Sequence, residues 1–315
     1  MAIVSGILYV RYQAPDLDLM ERFLTDFGLN RSHRTSNALY MRGVGGTHHI
    51  HITEIGREAR ALGAGLQVSS MEGLKEISAR TGARVQESEE PGGGLIAKLI
   101  DPNGFQIDIV FGQAAKECLR VRPALTLNDG WEARRLGNLQ RPDRGPSHVV
   151  RLEHCVLAGP NFDSALSFYQ DVLGMKPSDE IYAGNEQETV AVFLHCGLGR
   201  TYTDHHTLAL LRHPETFVDH SAFVTLDWDD LALGHDHLRD RGHLHEWGIG
   251  RHIMGSEVFD YWRDPFGFKL EHCVDGDMVN DDHRPQRAAF EESSLSIWAP
   301  RFPATFNQIT RRLAS

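Results

Sequence analysis

The stretch LEHCVLAGPNFDSALSFYQDVLGM (152–175) decides the fold, because the chain carries it twice. The earlier copy is ILYVRYQAPDLDLMERFLTDFGL (7–29). Each reads as a strand, a Pro plus acidic turn, an amphipathic helix and a Gly stop. Pro15 aligns with Pro160, Asp18 with Asp163, Phe23 with Phe168 and Asp26 with Asp171; Gly28 meets Gly174 after a one-residue gap. In the later copy Ala165, Leu166, Phe168, Tyr169 and Val172 fall at near-helical spacing. Asp163 is placed to cap that helix and Gly174 to end it.

The copies also close alike. DPNGFQID (101–108) and DPFGFKLE (264–271) are each an Asp-Pro-x-Gly turn feeding an alternating strand. Between these points GLQVSSMEGL (65–74) resembles AFVTLDWDDL (222–231), a strand running into a helix start. A repeat of this length sets the architecture. It predicts an α+β fold of two tandem modules, one over 1–115 and one over 148–275. A linker (116–147), rich in Arg, Pro and Gly, is expected to pack on the surface. In the tail (276–315) the aromatics of SIWAPRFPATF (296–306) are expected to dock on a domain or a neighbouring subunit.

Of the 315 residues 41% are hydrophobic and 24% charged, which excludes a largely disordered chain. No apolar run has the length of a membrane span. The first 30 residues lack the basic start and apolar run of a secretory signal. A net charge of −11 argues against a nucleic-acid surface. Four widely spaced cysteines, with no CxxC, read as free thiols in a reducing cytoplasm.

Eighteen histidines pose the question of which bind metal. Two neutral imidazoles and one carboxylate leave three positions of an octahedral ion open for small molecules. His154 lies on the first strand of the second module, and His220 is read as opening the strand HSAFVTLDW (220–228). Glu271 follows the DPFG turn and shares its strand face with Lys269 and Cys273. The repeat pairs these three with Tyr9, Gly63 and Asp108. The scaffold alone therefore does not demand the two histidines.

The remaining candidates read as structural. GHDHLRDRGHLHEW (234–247), with His235, His237, His243 and His245, reads as a solvated helix face followed by a Gly turn. His48, His49 and His51 read as strand surface or interdomain packing. GVGG (43–46) and PGGG (91–94) lack the context of a phosphate loop, and no GxSxG elbow occurs.

The segment GRHIMGSEVFDYWRDPFGFKLE (250–271) is similar to the signature of the type I extradiol (catechol meta-cleaving) dioxygenases of the vicinal oxygen chelate superfamily. That signature is G-x-H, a spacer, Tyr, Asp/Asn-Pro-x-Gly and a terminal Glu. The resemblance covers nearly the whole chain and is nearest the catechol 2,3-dioxygenase and trihydroxytoluene oxygenase branch. Asp260 departs from it, standing where the signature usually has an apolar residue.

The resemblance implies two modules of paired βαβββ units, each forming an open barrel. The first module would lack a metal site and the second would be catalytic. His154, His220 and Glu271 would bind Fe(II), less often Mn(II), and His206, His252 and Tyr261 would contact substrate and oxygen and move protons. The implied reaction is insertion of both atoms of O2 into a single-ring catechol, methylcatechol or trihydroxy aromatic, giving a muconic semialdehyde-type product. His206 is the expected general base and acid, and His252 is expected to stabilise charge on bound oxygen. Phe259, Tyr261, Trp262 and Phe266 are candidate walls of an apolar ring pocket. The implied assembly is a homo-oligomer, a tetramer, with no nucleic-acid or membrane partner. Two alternatives stay open on the same fold: a glyoxalase-like metal-dependent isomerase or lyase, and a non-enzymatic small-molecule binder.

Overall fold

The computed structural model describes residues 4–184, 188–291 and 295–309. Its first half is two βαβββ units. Val4–Ala14, helix Leu17–Asp26, Asn30–Arg34, Ala38–Arg42 and His51–Ile55 form one. Arg60–Val68, helix Met71–Thr81, Val85–Glu87, Leu95–Ile100 and Gln106–Phe111 form the other. Val4–Ala14 runs antiparallel to Arg60–Val68 and joins them into one eight-stranded sheet. The second half repeats the plan, with Val149–Gly159 antiparallel to Phe217–Thr225 in a ten-stranded sheet. Both sheets keep two edges, so neither closes into a barrel.

Local chemistry explains the repeat. In the two Asp-Pro-x-Gly turns Asp101 accepts the N–H groups of Asn103 and Phe105, and Asp264 those of Phe266 and Phe268, all at 2.8–2.9 Å. Gly104 and Gly267 hold φ of +92° and +95°, where any Cβ is strained. Helix Leu17–Asp26 is capped by Asp16, whose side chain accepts from the Leu19 N–H at 2.8 Å, and it buries Leu17, Met20, Phe23 and Leu24.

Its counterpart differs from expectation. Asn161, not Asp163, is the N-cap, and Asp163 sits in the first turn facing Arg212 at 2.8 Å. The helix Phe162–Ser167 then widens into a π-turn, Phe168–Val172. A π-turn accommodates one inserted residue, which accounts for the gap before Gly174.

The strand register superimposes the modules. Tyr9 pairs with Gly65 and Gly65 with Asp108; His154 pairs with Ala222 and Ala222 with Glu271. Gly63 and His220 each lie two residues before the middle member. His220 does not open its strand: the strand spans Phe217–Thr225, and Trp228 already begins the helix Trp228–Asp240.

One core runs through both modules. Tyr12 packs on Phe268 with centroids 4.8 Å apart, Phe27 on Phe223 at 5.6 Å, and Tyr12 Oη meets Ser221 Oγ at 3.1 Å. Each fully buried phenyl ring contributes on the order of 1.5–3 kcal/mol. Residues 116–147 contain no helix or strand. They are tied down where Arg122 forks onto Asp227 at 2.6 and 2.9 Å, yet Leu127, Trp131, Leu136 and Leu139 stay exposed. The tail is part of the second sheet rather than an appendage: Gln286–Ala289 and Ser296–Trp298 add its two edge strands. Among the described residues no helix is long and apolar enough to cross a membrane.

Candidate metal centre

Three neighbouring strands deliver three side chains to one point. His154 Nε2 lies 3.4 Å from His220 Nε2 and 3.6 Å from Glu271 Oε2, and His220 Nε2 lies 3.3 Å from the same oxygen. Their ligand atoms all fall within 4.8 Å of one another. Both carboxylate oxygens of Glu271 are buried without a hydrogen-bond partner. A buried orphan carboxylate is costly unless something neutralises it, and a cation among these three atoms does so. The donor set, two imidazoles and a carboxylate, therefore fits Fe(II) or Mn(II).

Flanking groups orient the imidazoles. His220 Nδ1 faces Asp219 Oδ2 at 2.8 Å; the carboxylate accepts, so Nδ1 carries the proton and Nε2 is free to ligate. Lys269 holds Asp219 in turn at 2.8 Å. Burial would raise the Asp219 pKa, but Lys269 and His220 overcome it and hold the carboxyl well below its usual range. His154 Nδ1 lies 3.4 Å from Glu153. Burial alone would lower the His154 pKa, yet Glu153 and Glu271 lift it to about 10. The same balance holds Glu271 far below the carboxylate range, since His154, His220 and His252 outweigh burial. The protein thus builds a negative pocket that favours positive charge at this point.

A cavity of about 460 Å³ is lined by His154 and His220, with Glu271 buried just behind them, and His206, His252 and Tyr261 line it as well. His206 Nδ1 meets His205 Nδ1 at 3.1 Å, which leaves the other ring nitrogen for the cavity. Burial pushes its pKa well below the usual value, with the charge on His154 adding to the effect, so His206 is neutral. His252 Nδ1 donates to the Leu295 carbonyl at 2.8 Å. Its Nε2 is therefore the acceptor, and Tyr261 Oη–H donates to it at 2.9 Å. Burial and then Glu271 keep the Tyr261 hydroxyl protonated.

The ring wall differs from the sequence expectation. Of Phe259, Tyr261, Trp262 and Phe266, only Tyr261 lines the cavity. Trp262 points to the opposite strand face into the main core, and Phe259 packs against Trp247 at 4.3 Å. The apolar wall comes instead from Phe193, Phe217, Trp247 and the tail residues Phe302 and Phe306. Phe306 stands 5.1 Å from Tyr261, and its carbonyl accepts from Lys269. Asp219 and Trp247 escaped the sequence reading, and so did the place where the tail aromatics dock, the cavity wall. For Asp219 a signal existed: an acidic residue directly beside a candidate ligand.

His49 and His51 are fully buried, which rules out the strand-surface reading, while His51 lies 6.4 Å from Phe223 of the second module, in line with the interdomain-packing one. The segment 234–247 is not a solvated helix face: His235 and His245 converge on Asp260, and His243 reaches Asp26 of the first module at 2.9 Å.

The paired βαβββ modules, with three candidate ligands in one of them, give a two-module fold of the vicinal oxygen chelate type. Residues 151–272 match the Glyoxalase/Bleomycin resistance protein/Dioxygenase superfamily. The chain is 28% identical over 308 residues to metapyrocatechase 2 of Cupriavidus necator, spanning 96% of this chain and 91% of that protein. It is 28% identical over 252 residues to the 3-methylcatechol 2,3-dioxygenase of Pseudomonas putida, spanning 76% and 78%. Among solved structures, the Mn(II)-bound glyoxalase from Novosphingobium aromaticivorans superposes with a TM-score of 0.79 at 25% identity, covering 97% of this chain and 94% of that one. The homoprotocatechuate 2,3-dioxygenase from Arthrobacter globiformis shares the fold with a TM-score of 0.78 at 20% identity, covering 99% and 94%. Over most of its length the chain is thus similar to catechol-cleaving extradiol dioxygenases, and its residues 151–272 match the superfamily that includes them.

Proposed function

We propose that this protein cleaves single-ring catechols next to their hydroxyl pair, placing both atoms of O2 in a muconic semialdehyde-type product. His154, His220 and Glu271 hold the metal, Fe(II) in first place and Mn(II) in second. One observation carries the reading: the orphan Glu271 carboxylate meets two imidazoles, His154 and His220, that line a largely apolar cavity. A bound divalent ion supplies a Lewis acid that lowers the pKa of a catechol hydroxyl and a path for electrons between substrate and oxygen.

The chain's own groups do the rest. His206, neutral and with its Nδ1 edge turned to His205, accepts a hydroxyl proton at Nε2 and returns it later. Tyr261, whose proton is committed to His252, keeps its oxygen lone pairs for the substrate hydroxyl. Protonated, His252 becomes a donor toward developing negative charge. Phe193, Phe217 and Trp247 exclude water around an aromatic ring, with Phe302 and Phe306 closing the tail side.

Catechol, methylcatechols and trihydroxy aromatics are the substrate class. The setting is cytoplasmic, in keeping with four free cysteines. The assembly is a homo-oligomer, a tetramer, in which the exposed apolar side chains of the linker find cover.

The test is a catechol panel followed by oxygen electrode and absorbance, with iron and manganese measured in the same sample. One O2 consumed per ring-fission product supports the reading. A fully metallated protein that consumes no O2 with any catechol overturns it and favours the isomerase alternative.

A further inference from the structure

A second constellation lies outside the cavity, on the opposite face of the sheet. His235 stands on the helix Trp228–Asp240, His245 on the strand Leu244–His252 and Asp260 on the strand Val258–Arg263. Asp260 and Tyr261 alternate, so the strand that gives Tyr261 to the cavity turns Asp260 toward the helix. None of the three lines the cavity.

The ligand atoms converge. His235 Nδ1 lies 3.1 Å from each oxygen of Asp260, and His245 Nε2 lies 2.8 Å from Oδ1. The two imidazoles stand at 82° with centroids 4.8 Å apart, and all three donor atoms fall within 4.8 Å of one another. His235 Nδ1 thus faces both oxygens of Asp260 evenly, in a bifurcated arrangement. Trp262 Nε1 donates to Oδ2 at 2.5 Å and orients the carboxylate with Oδ1 toward the histidines. Asp260 is fully buried, whereas the His235 and His245 side chains are 19% and 32% exposed. An ion therefore has a path in from the histidine side.

The twin module again serves as a control. The N-caps Ser70 and Asp227 align the two helices and set His235 against Ser78. Tyr261 pairs with Glu271 and Lys98 with Asp108, which sets Asp260 against Ala97. Ala97 is fully buried, so the scaffold closes this corner with a methyl group. Asp260 is also where the chain departs from the extradiol signature. A buried carboxylate added to a corner that packs well without it needs a compensating charge.

We propose that His235, His245 and Asp260 form a second metal site for a Zn2+-class ion, pinning the helix Trp228–Asp240 to the sheet. Two imidazoles and one carboxylate suit tetrahedral Zn2+ with water in the fourth position. Binding should be proton-linked and should stabilise the fold by mass action. The site stands independently of the reaction proposed above.

The test uses the full chain, stripped of metal and re-equilibrated with Zn2+. The double variant Glu271→Ala/His220→Ala removes two of the three cavity ligands and leaves His154 alone there. It is expected to retain one equivalent of Zn2+ after gel filtration and to melt at a higher temperature as Zn2+ is added. Adding Asp260→Asn, or His245→Gln at the more exposed position, should weaken that binding at least tenfold and abolish the melting shift. Circular dichroism confirms that each variant is folded. A double variant that binds no Zn2+ at tens of micromolar overturns the second site, as does Zn2+ binding unchanged by both added substitutions. The two sites fail separately. A folded Asp260→Asn protein that binds no metal at all overturns the cavity site and leaves this one standing.

Discussion

The two modules share strand order and register but solve one electrostatic problem in different ways. In the second, Glu271 faces two imidazoles, and both its oxygens lack a hydrogen-bond partner. In the first, the matching carboxylate, Asp108, is already satisfied. Tyr9 donates to it at 2.9 Å and Arg11 approaches at 3.2 Å. Arg11 also reaches Glu54 at 2.6 Å and Glu90 at 2.7 Å. A guanidinium attached to the chain thus takes the role a metal cation would have. The third ligand place is closed as well, since a Cβ on Gly63 would lie 1.8 Å from the Gln106 carbonyl oxygen. The candidate metal centre is therefore a property of three side chains, not of the fold.

The largest expected effect comes from making the second module resemble the first. Glu271→Ala should lose bound iron and ring cleavage together, as read by metal analysis and O2 uptake. Full iron with normal turnover would remove Glu271 from the ligand set. His206→Gln should keep iron while turnover falls by about 10²–10⁴-fold, the range for a positioned acid–base group. An unchanged rate and pH profile would show that His206 carries no proton.

Arg11→Met probes the first module. It strands Glu90 and Asp108 without their cation and should lower unfolding stability by about 3–5 kcal/mol, with iron per folded chain unchanged. A denaturant melt identical to the parent would show that the ion pairs contribute nothing.

The smallest expected effect is acid sensitivity seated in the first module. Burial lowers the pKa of His49 and of His51 to about 3 in each case. The unfolded chain therefore takes up protons first as pH falls. Stability is complete above about pH 6.5 and declines toward pH 3, by up to about 1.4 kcal/mol per pH unit for each histidine. Urea melts at pH 7 and pH 5 should separate by roughly 2 kcal/mol less in His51→Gln than in the parent. An equal separation would move the acid-labile group elsewhere.

Periodicity and spacing were enough for the repeat, the Asp-Pro-x-Gly turns and the candidate trio, because these are encoded locally. An alternating strand fixes which face a residue takes, and the DPFG turn fixes where Glu271 falls. The one-residue gap before Gly174 was visible, though not its cause, a π-turn that only backbone hydrogen bonds reveal. Contacts distant along the chain were not legible. Phe306 closes the cavity from 45 residues beyond Tyr261, and Asp260 gathers histidines from a helix and another strand. The segment 234–247 misled for this reason: helical spacing says which side chains share a face but not what that face meets. By itself, then, the chain's order of residues determined the two-module plan and the kinds of ligand available. Tertiary structure decided which polar groups lose water together, because burial and mutual distance exist only once the strands are paired.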